Sequence, residues 1–413
     1  MSRWPHGQLH PTPRPLRVPG LRPRGHRPGP LRRSLCRRHR PASPPKKTCC
    51  GRCGTSHRSF YDQAPRQIRD LDCGGRRIYL EFPVRRVSCR QCQAVKRERL
   101  DWIADNPHYT RRFAIRVGRS CRLATVKDVA EDLHLHWQTV KDLDQRYMQE
   151  QLDRAGHPAP EVIGIDELSI GPRHTYRIVV SDLLRRRPIW FGGTDRSEAS
   201  MDAFYIWLGP EKSRRIRLAV MDMWKAFRTS TLKPGHAPQA QIIFDKFHVL
   251  RHLSTALDTV RKHEYARLSG SARRFIKGQK YNLLSRWDNL HEKGRDALRL
   301  LLRANKRLHT AYLLKESFGQ LWDYRTPGWA LHFFDDWRDA LRWQRLQPFE
   351  KFARLVEDHW DGIVSYCHTD NKVALGFVEG LNNKIRTIQK RAYGFQDEAY
   401  LRLKILTCTL PKR

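Results

Sequence analysis

Three β-like runs in succession, EVIGIDELSI, TYRIVVSD and RPIWFGG, are followed by the helical stretch SEASMDAFYIWL and two more β-like runs, RIRLAVMDMW and AQIIFDKFHVL. This order predicts an α/β fold with a ribonuclease-H-like sheet. A nearly continuous helical stretch rich in Leu, Arg and Trp then separates the fifth run from a final helical segment, which predicts a large helical insertion. Paired cysteines and a helical hairpin ahead of the sheet predict two small modules. The expected division is a basic disordered arm at 1–47, a zinc-binding module at 48–107, and a helix-turn-helix domain with its linker at 108–160. The ribonuclease-H-like domain follows at 161–249 and 366–406, with the helical insertion at 250–365.

Charge narrows the partners. Lys and Arg number 79 against 42 Asp and Glu, a formal net charge of +37 with a pI near 10.4. Such an excess repels itself unless an anion neutralises it at many points, and nucleic acid does so. A membrane is not the expected partner, since no run approaches the roughly 20 apolar residues needed to cross a bilayer. The first residues lack the apolar stretch and small-residue cleavage site of a secretory signal. A cytoplasmic, nucleoid-associated setting is therefore expected, where the ten cysteines read as metal ligands or buried thiols before disulfides.

Residues 1–47 are rich in Pro, Arg and Gly, contain no acid and show no strand or helix periodicity. They cannot bury enough apolar surface to offset ordering entropy, so disorder is expected. A DNA-contacting arm and a shifted reading frame are the two readings. In the next module, IYLEF at 78–82 and VRRVSC at 84–89 are β-like. Cys50 with Cys53 and Cys89 with Cys92 form two CxxC pairs flanking them, the pattern that closes a tetrahedral structural zinc site. Cys49 is an alternative to Cys50, and Cys73 stands alone between the pairs.

TVKDVAEDLHLHWQTVKDLDQRYM at 125–148 has Val126, Val129, Ala130 and Leu133 on one helical face. A second helix carries Val140, Leu143 and Tyr147 on its apolar side. This fits a helix-turn-helix, with Gln138, Thr139, Lys141 and Arg146 as candidate DNA contacts and Arg111, Arg112, Arg116 and Arg119 adding phosphate affinity. An ordinary helical hairpin is the competing reading.

Asp166 and Asp222 each follow a short apolar run, at expected strand ends, where an acid is costly to bury without donors or metal. Glu167 falls on the opposite strand face. Asp245 also follows an apolar strand, with His248 three residues on; this pair could join the chemistry, orient a phosphate, brace the core or bind metal. In GFVEGLNNKIRTIQKRAYGF at 376–395, Val378, Leu381, Ile385, Ile388 and Ala392 mark an apolar helical face. Glu379 sits on an adjacent polar face with Asn382, Asn383, Arg386 and Lys390, the amides and cations being candidate DNA contacts. Three carboxylates from Asp166, Asp222 and Glu379 would hold two divalent ions, expected as Mg²⁺, that activate water or a DNA 3′ hydroxyl.

Taken in order, CCGRCG, VSCRQC, ATVKDVAEDLHLHWQTV, VIGIDE, AVMDMW, IIFDKFHVLRHL and GFVEGLNNKIRTIQKRAYGF resemble bacterial insertion-sequence transposases of the ISL3 family over about 48–406. The resemblance implies a DDE catalytic domain with Asp166, Asp222 and Glu379 in the DDE positions. It further implies recognition of terminal inverted repeats in double-stranded DNA, Mg²⁺-dependent cleavage and joining to target DNA, and a homodimer or higher oligomer on paired ends. Residues 1–47 and the doubled Cys49-Cys50 depart from the family pattern. Competing functions are a metal-dependent nuclease without strand transfer, a recombinase using a covalent Ser or Tyr intermediate, and a zinc-containing DNA-binding regulator.

Overall fold

The computed structural model describes residues 36–39, 47–171 and 175–411. They fall into two compact units, one ending at Met148 and the other running from Gln149 to Pro411. No helix among the described residues is long and apolar enough to cross a membrane.

The first unit opens with strand β1 (Cys36–His39) and the short pair β2 (Thr48–Cys49) and β3 (Ser56–His57). Strands β4 (Asp62–Cys73), β5 (Arg76–Cys89) and β6 (Ala94–Arg97) follow. The long β5 is the spine: β4 and β6 pair with it antiparallel and β1 parallel. Most of the arm expected at 1–47 lies outside the described residues, but Cys36–His39 corrects the expectation of no regular structure there. It pairs along Arg77 to Leu80, so backbone hydrogen bonding to an open strand edge supplies what side-chain periodicity does not. Where the sequence suggests two strands at 78–82 and 84–89, one strand runs through Pro83. Pro83 faces Pro65 across the ladder, a pairing that needs no N–H donor from either residue.

Helices α1 (Arg111–Ser120), α2 (Val126–Leu133) and α3 (Trp137–Ala155) complete this part of the chain. Thr125 and Asp128 form a reciprocal capping box at the start of α2, and His134 ends it in the left-handed region at φ 49°. Phe113, Val117, Val129, Ala130, Leu133, Val140 and Leu143 form the shared core. Gly118 lets α1 approach α3, since a Cβ there would lie 2.3 Å from the Tyr147 ring. The linker expected from 150 is helical through Ala155. Gln149 with Asp153 and Glu150 with Arg154 pair one turn apart, and Gly156 stops the helix at φ 67°.

In the second unit, β7 (Val162–Gly171), β8 (Thr175–Asp182) and β9 (Arg187–Gly192) form an antiparallel meander. Helices α4 (Glu198–Leu208) and α5 (Pro210–Ser213) lead to β10 (Leu218–Met221), and α6 (Lys225–Thr231) leads to β11 (Gln241–Phe244). The sheet order is β11-β10-β7-β8-β9, with β10 parallel to both β7 and β11. The chain then enters α7 (Lys246–Arg267), α8 (Gly270–Gly278), α9 (Lys280–Leu284), α10 (Glu292–Ala304) and α11 (Lys306–Phe318). Helices α12 (Pro327–Asp339), α13 (Gln347–Asp358) and α14 (Trp360–Val364) follow, and the chain returns to the sheet in α15 (Gly376–Arg391) and α16 (Glu398–Thr407).

Strand alternation assigns the two faces of this sheet. Ile163, Ile165, Ile178, Val180, Ala219, Met221, Ile242 and Phe244 join the α4 and α7 side chains in one core, which continues into the aromatic packing of Phe318, Phe334, Trp337 and Phe352. On the opposite face, Val162, Leu218, Val220 and Ile243 meet Leu375 and Val378. Leu168, Val179 and Phe191 meet Leu381 and Ile385 of α15 and Leu401 and Ile405 of α16.

Candidate active site

The three parallel strands share one register. Val220 pairs with Gly164, and Met221 with Phe244. Continuing that register places Asp222 level with both Asp166 and Asp245. Each aspartate lies an even number of residues beyond a side chain of the α15-facing core, so all three belong to that face. Asp166 is not at a strand end as the sequence suggests: β7 runs on to Gly171, paired with β8. The parallel neighbour β10 ends instead, and this uncovers one side of β7 just where Asp166 projects. Glu167 points the other way and pairs with Arg196.

Helix α15 comes down over this opening because residue 164 has no side chain. A Cβ on Gly164 would lie 2.7 Å from Cγ2 of Val378 and 2.9 Å from Cδ2 of Leu183. Glu379, next to Val378 and half-buried, lies close enough for its charge to act on the Asp245 carboxyl. One turn later Asn382 is 5% exposed and donates from Nδ2 to Oδ2 of Asp166 at 2.5 Å. The polar face expected for α15 is corrected at this residue: Asn382 is four residues after Val378 and three before Ile385, in the buried stripe, a spacing already readable in the sequence. Asn383, Arg386 and Lys390 are exposed, and Arg386 donates to the Asn383 side-chain oxygen at 3.1 Å.

Asp245 caps α7 by accepting from the Phe247 N–H at 3.0 Å. His248, in the first turn of that helix, stands between two carboxylates. Its Nε2 is 3.9 Å from Oδ1 of Asp166, and its Nδ1 is 3.9 Å from Oδ2 of Asp222. Burial pushes the Asp166 carboxyl up to about 6, and the nearby Asp222 charge adds to this against the opposing pull of His248 and Asn382. Asp245 is likewise pushed up to about 6, by burial first and then by the charges of Asp166 and Glu379, against the Phe247 N–H and His248. The structure thus brings together Asp166, Asp222, Asp245, His248, Glu379 and Asn382.

This set is a crowded group of hard oxygen donors short of positive charge, which fits a divalent cation. The buried Oδ1 of Asn382 has no hydrogen-bond partner beside Asp166, and so adds an oxygen acceptor to the set. Among the described residues, only Cys50, Cys53, Cys89 and Cys92 bring three or more ligand atoms within 4.8 Å of one another. The carboxylates stand farther apart.

Those four cysteines resolve the choice between Cys49 and Cys50 in favour of Cys50. Sγ of Cys53 is 3.5 Å from that of Cys89, and Sγ of Cys50 is 3.9 Å from that of Cys92. The Thr55 hydroxyl helps hold the Cys53 thiol down to about 6, while Cys53 and burial push Cys92 up to about 12. Four soft donors at these separations, resisting full deprotonation without a counter-charge, fit a structural zinc ion.

The helix-turn-helix candidates lie near the start of α3 and along it. Gln138 donates to Asp142 at 2.8 Å, Thr139 and Lys141 are half-buried, and the exposed Arg146 stands 3.8 Å from Asp105. Val140, Leu143 and Tyr147 are buried as expected.

These geometries give a candidate zinc site and a candidate carboxylate site on one chain, and comparison with known proteins gives their class. Residues 163–405 match the ISL3-type DDE transposase family, 98–148 the helix-turn-helix domain of transposase family ISL3, and 46–92 the zinc-finger of transposase IS204/IS1001/IS1096/IS1165. The chain is 32% identical over 363 residues to the transposase for insertion sequence element IS1001 of Bordetella parapertussis, covering 87% of this chain and 88% of that protein. It is 27% identical over 398 residues to the transposase for insertion sequence element IS1557 of Mycobacterium tuberculosis, covering 88% and 87%. The chain belongs to the ISL3 family of transposases and acts on DNA.

Proposed function

We propose that this transposase cuts and joins DNA at a ribonuclease-H-like DDE site in which Asp166, Asp222 and Glu379 hold two Mg²⁺ ions. The observation that carries the reading is the shared register of Asp166 and Asp222 on the sheet face over which α15 brings Glu379. The antiparallel β7-β8-β9 meander, flanked by parallel β10 and β11, supports the ribonuclease-H-like assignment. Residues 250–365 read as a helical insertion between β11 and α15.

Bound divalent ions would lower the pKa of an attacking water or 3′ hydroxyl and stabilise charge on the scissile phosphate. The chain's own part is positioning. Asn382 holds Oδ2 of Asp166 and the Glu167 N–H holds Oδ1 at 2.7 Å, so the carboxylate keeps one orientation. Asp245 anchors the start of α7 and thereby holds His248 between Asp166 and Asp222. Asn383, Arg386 and Lys390, exposed on α15, would meet phosphates of the strand being cut. In the first unit, Gln138, Thr139, Lys141 and Arg146 would read terminal inverted repeats, and the protein would work as a homodimer or larger oligomer on paired ends before attacking target DNA.

The test is cleavage of a duplex carrying the element's own ends, with Mg²⁺. Asp166→Asn, Asp222→Asn and Glu379→Gln are each expected to bind that duplex as the parent does and to leave it intact; parental cleavage by Glu379→Gln would remove it from the site. Cut ends that never join target DNA would favour a nuclease. The burial of Asp245 at 4% exposure, level with Asp222, favours a second reading in which Asp245 also contacts the ions. Weaker Mg²⁺ binding in Asp245→Asn, measured by calorimetry, distinguishes that reading from a bracing role.

A further inference from the structure

Between Tyr265 and Trp287 the chain has six cations, Arg267, Arg273, Arg274, Lys277, Lys280 and Arg286, and no acid. The fold gathers part of this run around an open groove of about 570 Å³ where α8 passes into α9. Arg261, Arg274, Lys277, Gly278, Lys280 and Tyr281 line it. Arg261 forms the floor; it is buried and already neutralised, since its Nε donates to Asp258 at 2.7 Å. Arg274, Lys277 and Lys280 remain as charges facing the groove. Tyr281 is 79% exposed, with the Lys280 ammonium 5.8 Å from its ring centre.

Three cations lining one groove favour an anionic polymer, and an exposed aromatic ring beside them adds something a phosphate surface alone does not need. Cations that follow a backbone, with an aromatic side chain on which a base can stack, are the elements of single-strand recognition. The volume points the same way. It lies in the range of about 300–1,000 Å³ that accommodates small molecules, room for a nucleotide or two. The glycine at the α8–α9 junction, Gly278, has nothing within 4 Å of where a Cβ would stand, which keeps that stretch of the wall low.

We propose that this groove is a single-stranded DNA site. A base stacks on Tyr281, and the flanking phosphates are held by Arg274, Lys277 and Lys280. It would hold a strand freed when an element end is opened, while the carboxylate site acts on the scissile phosphate.

The experiment uses the full-length protein and fluorescent oligo-dT, with anisotropy read across a salt series. Three variants are compared with the parent: Tyr281→Ala; the triple reversal Arg274→Glu, Lys277→Glu, Lys280→Glu; and a control reversal of the exposed Arg214, Arg215 and Lys293, which changes net charge equally. Tyr281→Ala is expected to weaken oligo-dT binding at least about fivefold, with little change for an unrelated duplex, because stacking contributes at least about 1 kcal/mol per base. The groove reversal should lower the slope of log affinity against log salt by about two, at roughly 0.7 per phosphate contact for a single strand. The control should leave that slope near the parental value. Unaltered oligo-dT binding in Tyr281→Ala overturns the proposal, and so does an equal loss in the groove and control reversals, which would reduce the effect to overall charge.

Discussion

Asp70 in the first unit and Asp166 in the second are both buried carboxylates, and their acidities move in opposite directions. Burial alone would raise both. Asp70, however, accepts two hydrogen bonds from the Arg112 guanidinium and one from the Thr110 hydroxyl at 2.7 Å, which together hold its carboxyl below the usual range. Asp166 accepts from an amide and a backbone N–H and stands near a histidine, with the charge of Arg386 acting from farther off and Asp222 and Asp245 as neighbours, and is driven up to about 6. One acid has its counter-charge within the chain and serves the fold. The other has no Arg or Lys in hydrogen-bonding contact; this site and the four clustered cysteines are the places that would take an ion from outside.

The largest effect that tests this contrast is metal removal from the cysteine set. Structural zinc contributes about 10–16 kcal/mol in small modules, comparable with the whole stability of a domain at roughly 5–15 kcal/mol. Chelation, or Cys89→Ser, is expected to unfold the ribbon, seen as loss of protease resistance around 48–107 and of specific DNA binding. An intact ribbon without zinc would place the cysteines on the self-sufficient side. Next comes Asp166→Asn, expected to lower cleavage at least about 100-fold, since the charge stabilisation lost is several kcal/mol and each 1.36 kcal/mol is tenfold. Asp70→Asn should leave the cleavage rate of folded protein unchanged; an equal loss would erase the distinction between the two acids.

Asn382→Ala is expected to weaken Mg²⁺ binding about 10- to 100-fold, as loss of a group that orients a ligand does. Calorimetric titration measures this without turnover, and parental affinity would reduce Asn382 to packing. Gly164→Ala should cost about 1–3 kcal/mol of stability, because α15 must move away from β7 to admit the methyl group. Thermal unfolding reads that cost, and the same displacement should lower cleavage. The smallest effect is that of Asp70→Asn on stability, about 1 kcal/mol, since Arg112 is partly exposed and can turn to water. An acid held below its unfolded value contributes stability above that value and loses it as pH falls. The parent should therefore lose more stability than Asp70→Asn in a titration carried below about pH 4.

Much of the catalytic unit was legible because buried strands announce themselves. IGID, AVMD and IIFD each read as apolar strand then acid, and all three strands fall where the pattern puts them. The equality of Asp245 with the other two was not legible, since register between parallel strands is set by packing across the sheet and not by any one strand's composition. Asn382 is a related case: by residue type an amide reads as part of the polar face, although the spacing from Val378 to Ile385 runs through this residue. Strand β4 carries little sequence signal because its first six residues are all exposed or half-buried, leaving only Ile68, Arg69 and Asp70 to the interior. β1 could not be found from its own residues at all, because it exists through backbone pairing with β5.

The return of α15 to the sheet has a consequence for timing. Asp245 and Glu379 are separated by the whole series of helices α7 to α14, so the site is finished only after all of them have left the ribosome. Domains fold as units during synthesis, the N-terminal ones first. A nascent or prematurely ended chain would therefore hold its zinc and grip DNA before it had any means of cutting it. Incomplete copies of this protein would be competitors of the finished ones, occupying the element's ends without breaking them.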